Sequence, residues 1–89
     1  MNNTLQNQHI TPAIREFIAT RLLYSENGFG YSDETPLFRE GILDSLAVVE
    51  LVEFVQEHFG IKVEQPELRP DNFDSVARLT AFVCSKLGK

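Results

Sequence analysis

The sequence holds a single cysteine, Cys84, which excludes an intramolecular disulfide and a multi-cysteine metal site. Cys84 is read as a small helix residue of no redox consequence. Long apolar runs are missing too: the longest are a few residues, against the roughly 20 that a bilayer span requires. Residues 1–8 have neither a basic start nor an apolar stretch, so no signal peptide is expected and the cytoplasm is the expected location. Basic residues are the minority, eight against thirteen acids, for a formal charge of −5. Nucleic acid and anionic membranes reward a basic surface, so neither is expected as a partner, whereas a protein with a basic docking patch is compatible. The two histidines, His9 and His58, have no evident metal-ligating companions and are read as solvated surface residues, so no metal centre is expected. There is no internal repeat and no low-complexity run.

What remains is one small domain. At 89 residues its core must be compact and its stability modest, with little room for a deep catalytic cleft. Residues 1–10 read as a disordered polar lead-in and residues 11–89 as the folded domain. Thr11 followed by Pro12 is a helix-start signal, and Ile14, Phe17, Ile18 and Leu22 recur at helical spacing, predicting a helix over 12–23. A loop of roughly twenty residues follows, rich in turn formers between Asn27 and Asp33, and loops of that length tend to be functional or mobile. Leu37, Phe38, Ile42 and Leu43 are expected to pin its second half to the core.

Asp44 and Gly60 bracket a second predicted helix, Ser45 to Phe59, as its cap and its left-handed stop. At 100° per residue, Val48, Leu51, Val52, Val55 and Phe59 face inward, Glu50, Glu53 and Glu57 face outward, and Leu46, Val49 and Phe54 lie along the borders. Pro66 and Pro70 limit the next stretch to an irregular turn or one short helix. A last helix opens at Asp74 or Ser75 and turns Val76, Leu79, Phe82 or Val83, and Leu87 inward before ending near Gly88. Phe17, Phe59, Phe73 and Phe82 are assigned to the core. The expected fold is all-α, a small bundle of three main helices and one short irregular helix, with a long first loop.

Ser45 is the residue that points to chemistry. A serine in the first turn of a helix sits at the positive end of the macrodipole, where backbone N–H groups lack partners and a phosphate ester is well placed. Asp44 caps the helix and is suited to holding a cation during transfer of a phosphate-bearing group. Gly41 lets the approach turn tightly. Asp74 and Ser75 form a nearly identical pair with no such approach, and are read as a cap alone. From Asp44 to Phe59 there are four acids and no Lys or Arg.

Residues 37–46 and 48–52, with Gly41, the Ile42/Leu43 pair and Asp44-Ser45-Leu46 at their centre, resemble the acyl and peptidyl carrier proteins. Residues 59–63 and 72–76 resemble the end of that family's second helix and the start of its last, so the resemblance covers about residues 12–87. It implies a carrier and not an enzyme. A phosphopantetheinyl transferase would attach 4′-phosphopantetheine from coenzyme A to Ser45, with Asp44 helping to organise the magnesium-bound complex. The thiol of that arm would hold an acyl or aminoacyl group as a thioester for delivery between enzymes. The resemblance also makes the second helix a docking surface, with Leu46, Val49, Glu50, Glu53, Phe54 and Glu57 as its contacts and a monomer as the expected state.

Within the family the sequence looks closest to discrete carriers loaded by ATP-dependent adenylating ligases, such as D-alanyl or free-standing peptidyl carriers. Fatty-acid or polyketide carriers are the alternative, disfavoured because Ala47 stands where many fatty-acid carriers have an acid. An esterase, suggested by Leu43-Asp44-Ser45-Leu46, lacks a histidine base after His58. An unmodified helical adaptor is disfavoured by the intact Asp44-Ser45-Leu46.

Overall fold

The computed structural model describes residues 2–88, with side chains from His9 onward. Helix α1 runs Asn2–Phe17 and closes in a wider π-helical turn, Ile18–Leu22. Helix α2 runs Ser45–Phe59, a 3₁₀ turn covers Gln65–Glu67, and α3 (Pro70–Phe73) and α4 (Val76–Lys86) complete the chain. The described residues thus form the expected all-helical bundle, with α1 and α4 in close contact.

The start of α1 corrects the sequence reading. The helix does not begin at Pro12; Pro12 lies inside it, and Thr11, instead of capping, exchanges a 3.0 Å hydroxyl hydrogen bond with Thr80 of α4. Ile10 is the reason. Ile10, Ile14 and Ile18 repeat every fourth residue, and all three are buried. An interior proline costs about 3 kcal/mol, while fully burying one isoleucine contributes about 1.5–3 kcal/mol, so the two effects are of one size. Ile10, expected within a disordered lead-in, belongs to the core.

Helix α2 has the predicted bounds. Asp44 caps it, its Oδ1 accepting the Ala47 N–H at 3.2 Å, and Gly60 ends it at φ +70°, donating its N–H to the Gln56 carbonyl at 3.0 Å. The buried stripe is Ala47, Leu51 and Val55, so the inward face is rotated toward Ala47, and Val48, Val52 and Phe59 are only half-buried. Phe54 is no border residue: its ring stacks on Phe17 of α1, centroids 4.3 Å apart. His58 is exposed but stacks in turn on Phe54 at 5.0 Å. Phe73 and Phe82 are buried against each other, while Phe17 and Phe59 are half-buried at the edge of the core.

The long loop between the π turn and α2 is tied down at two places. Arg15 of α1 grips the Asp33 carboxylate with two 2.7 Å bonds, and the Asp33 carbonyl accepts the Ala77 N–H at the start of α4. Farther on, the Asp74 carboxylate, 5% exposed, accepts the Phe38 N–H at 2.8 Å, and the Asp74 carbonyl accepts the Leu37 N–H at 2.6 Å. Leu37 and Leu43 are buried, with Phe38 and Ile42 packed at the core edge as expected. Gly41, at φ +76°, closes the intervening turn, and the Leu37 carbonyl accepts both the Ile42 and Leu43 N–H groups.

The segment between α2 and α4 is held from the other side. Lys86 of α4 reaches both carboxylate oxygens of Glu67 at 3.0 Å, and Glu67 also accepts the Glu64 N–H. The Glu64 N–H, and after it Lys86, lower the Glu67 pKa below the usual carboxylate value.

Two measurements check these ties. Asp74→Ala leaves the part-buried Phe38 N–H without its acceptor and is expected to lower unfolding free energy by about 1–3 kcal/mol in urea titrations. Because the Glu67 pKa is lowered on folding, its contribution is present above the unfolded carboxylate pKa and is lost as pH falls through the folded one. The stability gap between wild type and Glu67→Gln should therefore shrink on acidification through the carboxylate range, as read by thermal melts from neutral to acid pH.

Candidate functional site: the serine at the start of helix α2

Ser45 is the first residue of α2, and its side chain is exposed. Its hydroxyl makes no hydrogen bond among the described residues, so it is available to a reagent from solution. Ser75 is the opposite case: only 4% exposed, with its Oγ accepting the Arg78 N–H at 3.0 Å. Two Asp-Ser pairs of similar local chemistry thus have different fates. One serine caps α4 from inside the core, while in the other pair Asp44 does the capping and the serine faces outward.

Asp44 is exposed, and its cap uses Oδ1 alone, leaving Oδ2 without a hydrogen-bond partner among the described residues. One oxygen is structural and the other is open to a cation. Among the described residues no group of three or more His, Cys, Asp or Glu is placed to hold a metal ion.

A cleft of about 400 Å³ opens beside Ser45. Phe38 from the loop turn, Val48 from α2, and Leu68 and Phe73 from the segment before α4 give it a mainly apolar lining, and Arg69 is its one cation. On the other side of Asp44 a smaller recess of about 240 Å³ is bounded by Arg21, Tyr24, Leu46 and Glu50. Tyr24 stands at φ +53°, a left-handed conformation costing a side-chain-bearing residue about 1–2 kcal/mol, directly after the π turn.

Of the expected docking residues, Leu46 is 73% exposed and Val49 55%, and Glu50, Glu53 and Glu57 are exposed on the same outer side of α2. Phe54, also expected there, is half-buried with its ring stacked on Phe17. Arg69, Leu68 and Phe38, which the sequence reading did not assign to the site, are brought there by the fold. The pattern carried no signal for Leu68 and Arg69, since the irregular segment between Pro66 and Pro70 has no period to follow, while Phe38 was read only as pinning the loop to the core. Cys84 is half-buried on α4, and burial raises its thiol pKa, which disfavours the reactive thiolate.

An unpartnered hydroxyl at a helix N-terminus, an open carboxylate oxygen beside it and a largely apolar cleft with one cation suit a phosphate-linked, partly apolar arm. The comparison with known proteins agrees. The family model for the phosphopantetheine attachment site matches residues 12–83. The probable acyl carrier protein PigG of Serratia sp. (strain ATCC 39006) is 36% identical over 66 residues, 74% of this chain and 75% of that protein. The chain belongs to the acyl carrier protein family. It is accordingly a carrier and not an enzyme, and its cofactor is covalently attached 4′-phosphopantetheine. As a member of that family it interacts with a phosphopantetheinyl transferase and with acyl-processing enzymes. Among the described residues no helix is long and apolar enough to cross a membrane.

The capping role of Asp44 separates cleanly from any role with a cation. Asp44→Ala should lower the unfolding free energy by about 1 kcal/mol, whereas Asp44→Asn, an equally good cap, should leave it nearly unchanged in denaturant titrations.

Proposed function

We propose that this acyl carrier protein bears its phosphopantetheine on Ser45 and delivers an acyl or aminoacyl group loaded by an ATP-dependent adenylating ligase. The observation that carries the attachment site is the exposed, unpartnered Ser45 hydroxyl at the start of α2, set against the buried, hydrogen-bonded Ser75. In the attachment step the Ser45 hydroxyl loses its proton and its oxygen bonds to the phosphorus that carries pantetheine. The bond from that phosphorus to the adenosine bisphosphate of coenzyme A breaks, and the bisphosphate leaves. Asp44 would help hold the magnesium ion of that complex, and the transferase would supply the base, since neither His9 nor His58 lines the recesses beside Ser45 and Asp44. Once attached, the arm supplies a terminal thiol that holds the cargo as a thioester.

Docking falls to the outer face of α2. Leu46 and Val49 give apolar contact, and Glu50, Glu53 and Glu57 steer a partner with a basic patch. Phe54 acts from beneath, stiffening α2 through Phe17. Ala47 supports a cargo outside fatty-acid synthesis: it is buried, at 6% exposure, so the acid that many fatty-acid carriers have at this position would lose its solvation here. A fatty-acyl or polyketide cargo is the second reading, favoured by the apolar lining of the cleft beside Ser45. The cytoplasm is the proposed site of action.

Incubation with coenzyme A, magnesium and a broad-specificity transferase should add one phosphopantetheine mass, mapped to the peptide containing Ser45. Ser45→Ala should abolish the addition, Asp44→Asn should slow it without unfolding the protein, and added salt should slow it by screening the acidic face. A wild-type protein that stays unmodified beside a control carrier that is modified would refute the assignment.

A further inference from the structure

We infer that Arg69 is an anion-binding residue that receives the phosphodiester at the root of the arm, an inference that rests on Ser45 as the attachment point. A phosphodiester on Ser45 Oγ places a negative charge at the start of α2. That helix offers it partial charge from unpaired backbone N–H groups, but its own side chains are unfavourable. Asp44 adjoins the site, Glu50 lies farther along, and no Lys or Arg occurs from Asp44 to Phe59. The side-chain cation must come from elsewhere in the fold. Arg69 supplies it, since it lines the same cleft as Ser45 from the separate segment before α4.

Two features make Arg69 suited to the task. Its backbone is fixed: its N–H donates to the Glu67 carbonyl at 2.9 Å, and its own carbonyl accepts the Asn72 and Phe73 N–H groups at 2.9 and 3.1 Å. Glu67 is in turn held to α4 by Lys86. The guanidinium itself is lightly committed. It makes one 3.3 Å hydrogen bond to Asp71, with both side chains more than 60% exposed, and exposed pairs of this kind contribute little. Asp71 also has Arg78 within 4.0 Å, so it keeps a counter-charge if Arg69 turns away. A phosphodiester matches the planar fork of a guanidinium and can take two donors at once. Arg69 would thereby set the direction in which the arm leaves Ser45.

The test uses full-length protein before and after enzymatic attachment, beginning with the mass of the Ser45 peptide. An arm absent from Ser45 would overturn the attachment reading itself. With the arm on Ser45, the Arg69 Nε–Hε resonance should move between the apo and holo forms while those of Arg21 and Arg39 stay in place. The phosphorus resonance of the holo protein should shift in Arg69→Gln, return part of the way in Arg69→Lys, and show a stronger Arg69 dependence in the Asp71→Asn background. An Arg69 Nε–Hε resonance identical in apo and holo protein, with a phosphorus resonance indifferent to Arg69→Gln, would overturn the inference while leaving Ser45 as the attachment point. The apo-to-holo comparison needs no variant, so it stands even if a substitution disturbs folding.

Discussion

The Asp74 side chain, buried where α4 begins, accepts the Phe38 N–H, while its backbone carbonyl accepts the N–H of Leu37. Those two bonds fasten the second half of the longest loop to the last helix, and the loop then turns through Gly41 and delivers Asp44 and Ser45 to the start of α2. The position of Ser45 therefore depends on a residue far along the chain. Hydrogen bonds to a charged acceptor contribute about 1.5–3 kcal/mol, more than a neutral pair, and burial makes their absence costlier still. The same turn supplies Phe38 to the cleft beside Ser45, so one anchored segment builds both the reactive group and one of its walls. Arg15 and Asp33 perform the corresponding service for the first half of the loop.

Local signals account for much of what the sequence made legible. Helix α2 was readable to its ends because both ends are local devices: a capping aspartate and a glycine at positive φ. The all-helical class and the half-buried Phe38 and Ile42 also followed from short-range pattern. Long-range features were not legible. The Thr11-Pro12 signal suggested a helix start, yet the helix extends back because Ile10 finds a place in the core, and burial outweighs a local cap. Phe54 read as a border residue by angle, but Phe17 on another helix claims its ring. Arg69 carried no signal at all. Its importance comes from the chain folding back across the start of α2, which no spacing within residues 66–70 announces.

The two Asp-Ser pairs show how one dipeptide divides into two roles. In each pair one residue caps the helix. At α4 the serine caps, and the aspartate before it is drawn inward to hold the loop. At α2 the aspartate caps, which sets the serine one residue inside the helix, with its hydroxyl outward and uncommitted. The difference is one residue of register. If Ser45 carries the arm as proposed, the aspartate before it has a structural reading, since Asp44 takes the capping duty and leaves the serine hydroxyl uncommitted.

That register also sorts the charges around the site. Acids lie along the outer side of α2, while Arg69 lines the cleft beside Ser45 from a separate segment. On the proposed reading a partner drawn by Glu50, Glu53 and Glu57 would meet the outer side of α2, while Arg69 belongs to a different segment. A cation on α2 itself would combine the two functions badly, weakening the acidic field that steers association. Under the proposal, splitting them between α2 and the Leu68–Pro70 turn would let the carrier present one face to successive enzymes while a second, fixed by Glu67 and Lys86, would hold the root of the arm. The irregular, proline-bounded segment suits that role because it needs only to fix one backbone position, and three hydrogen bonds at Arg69 do so.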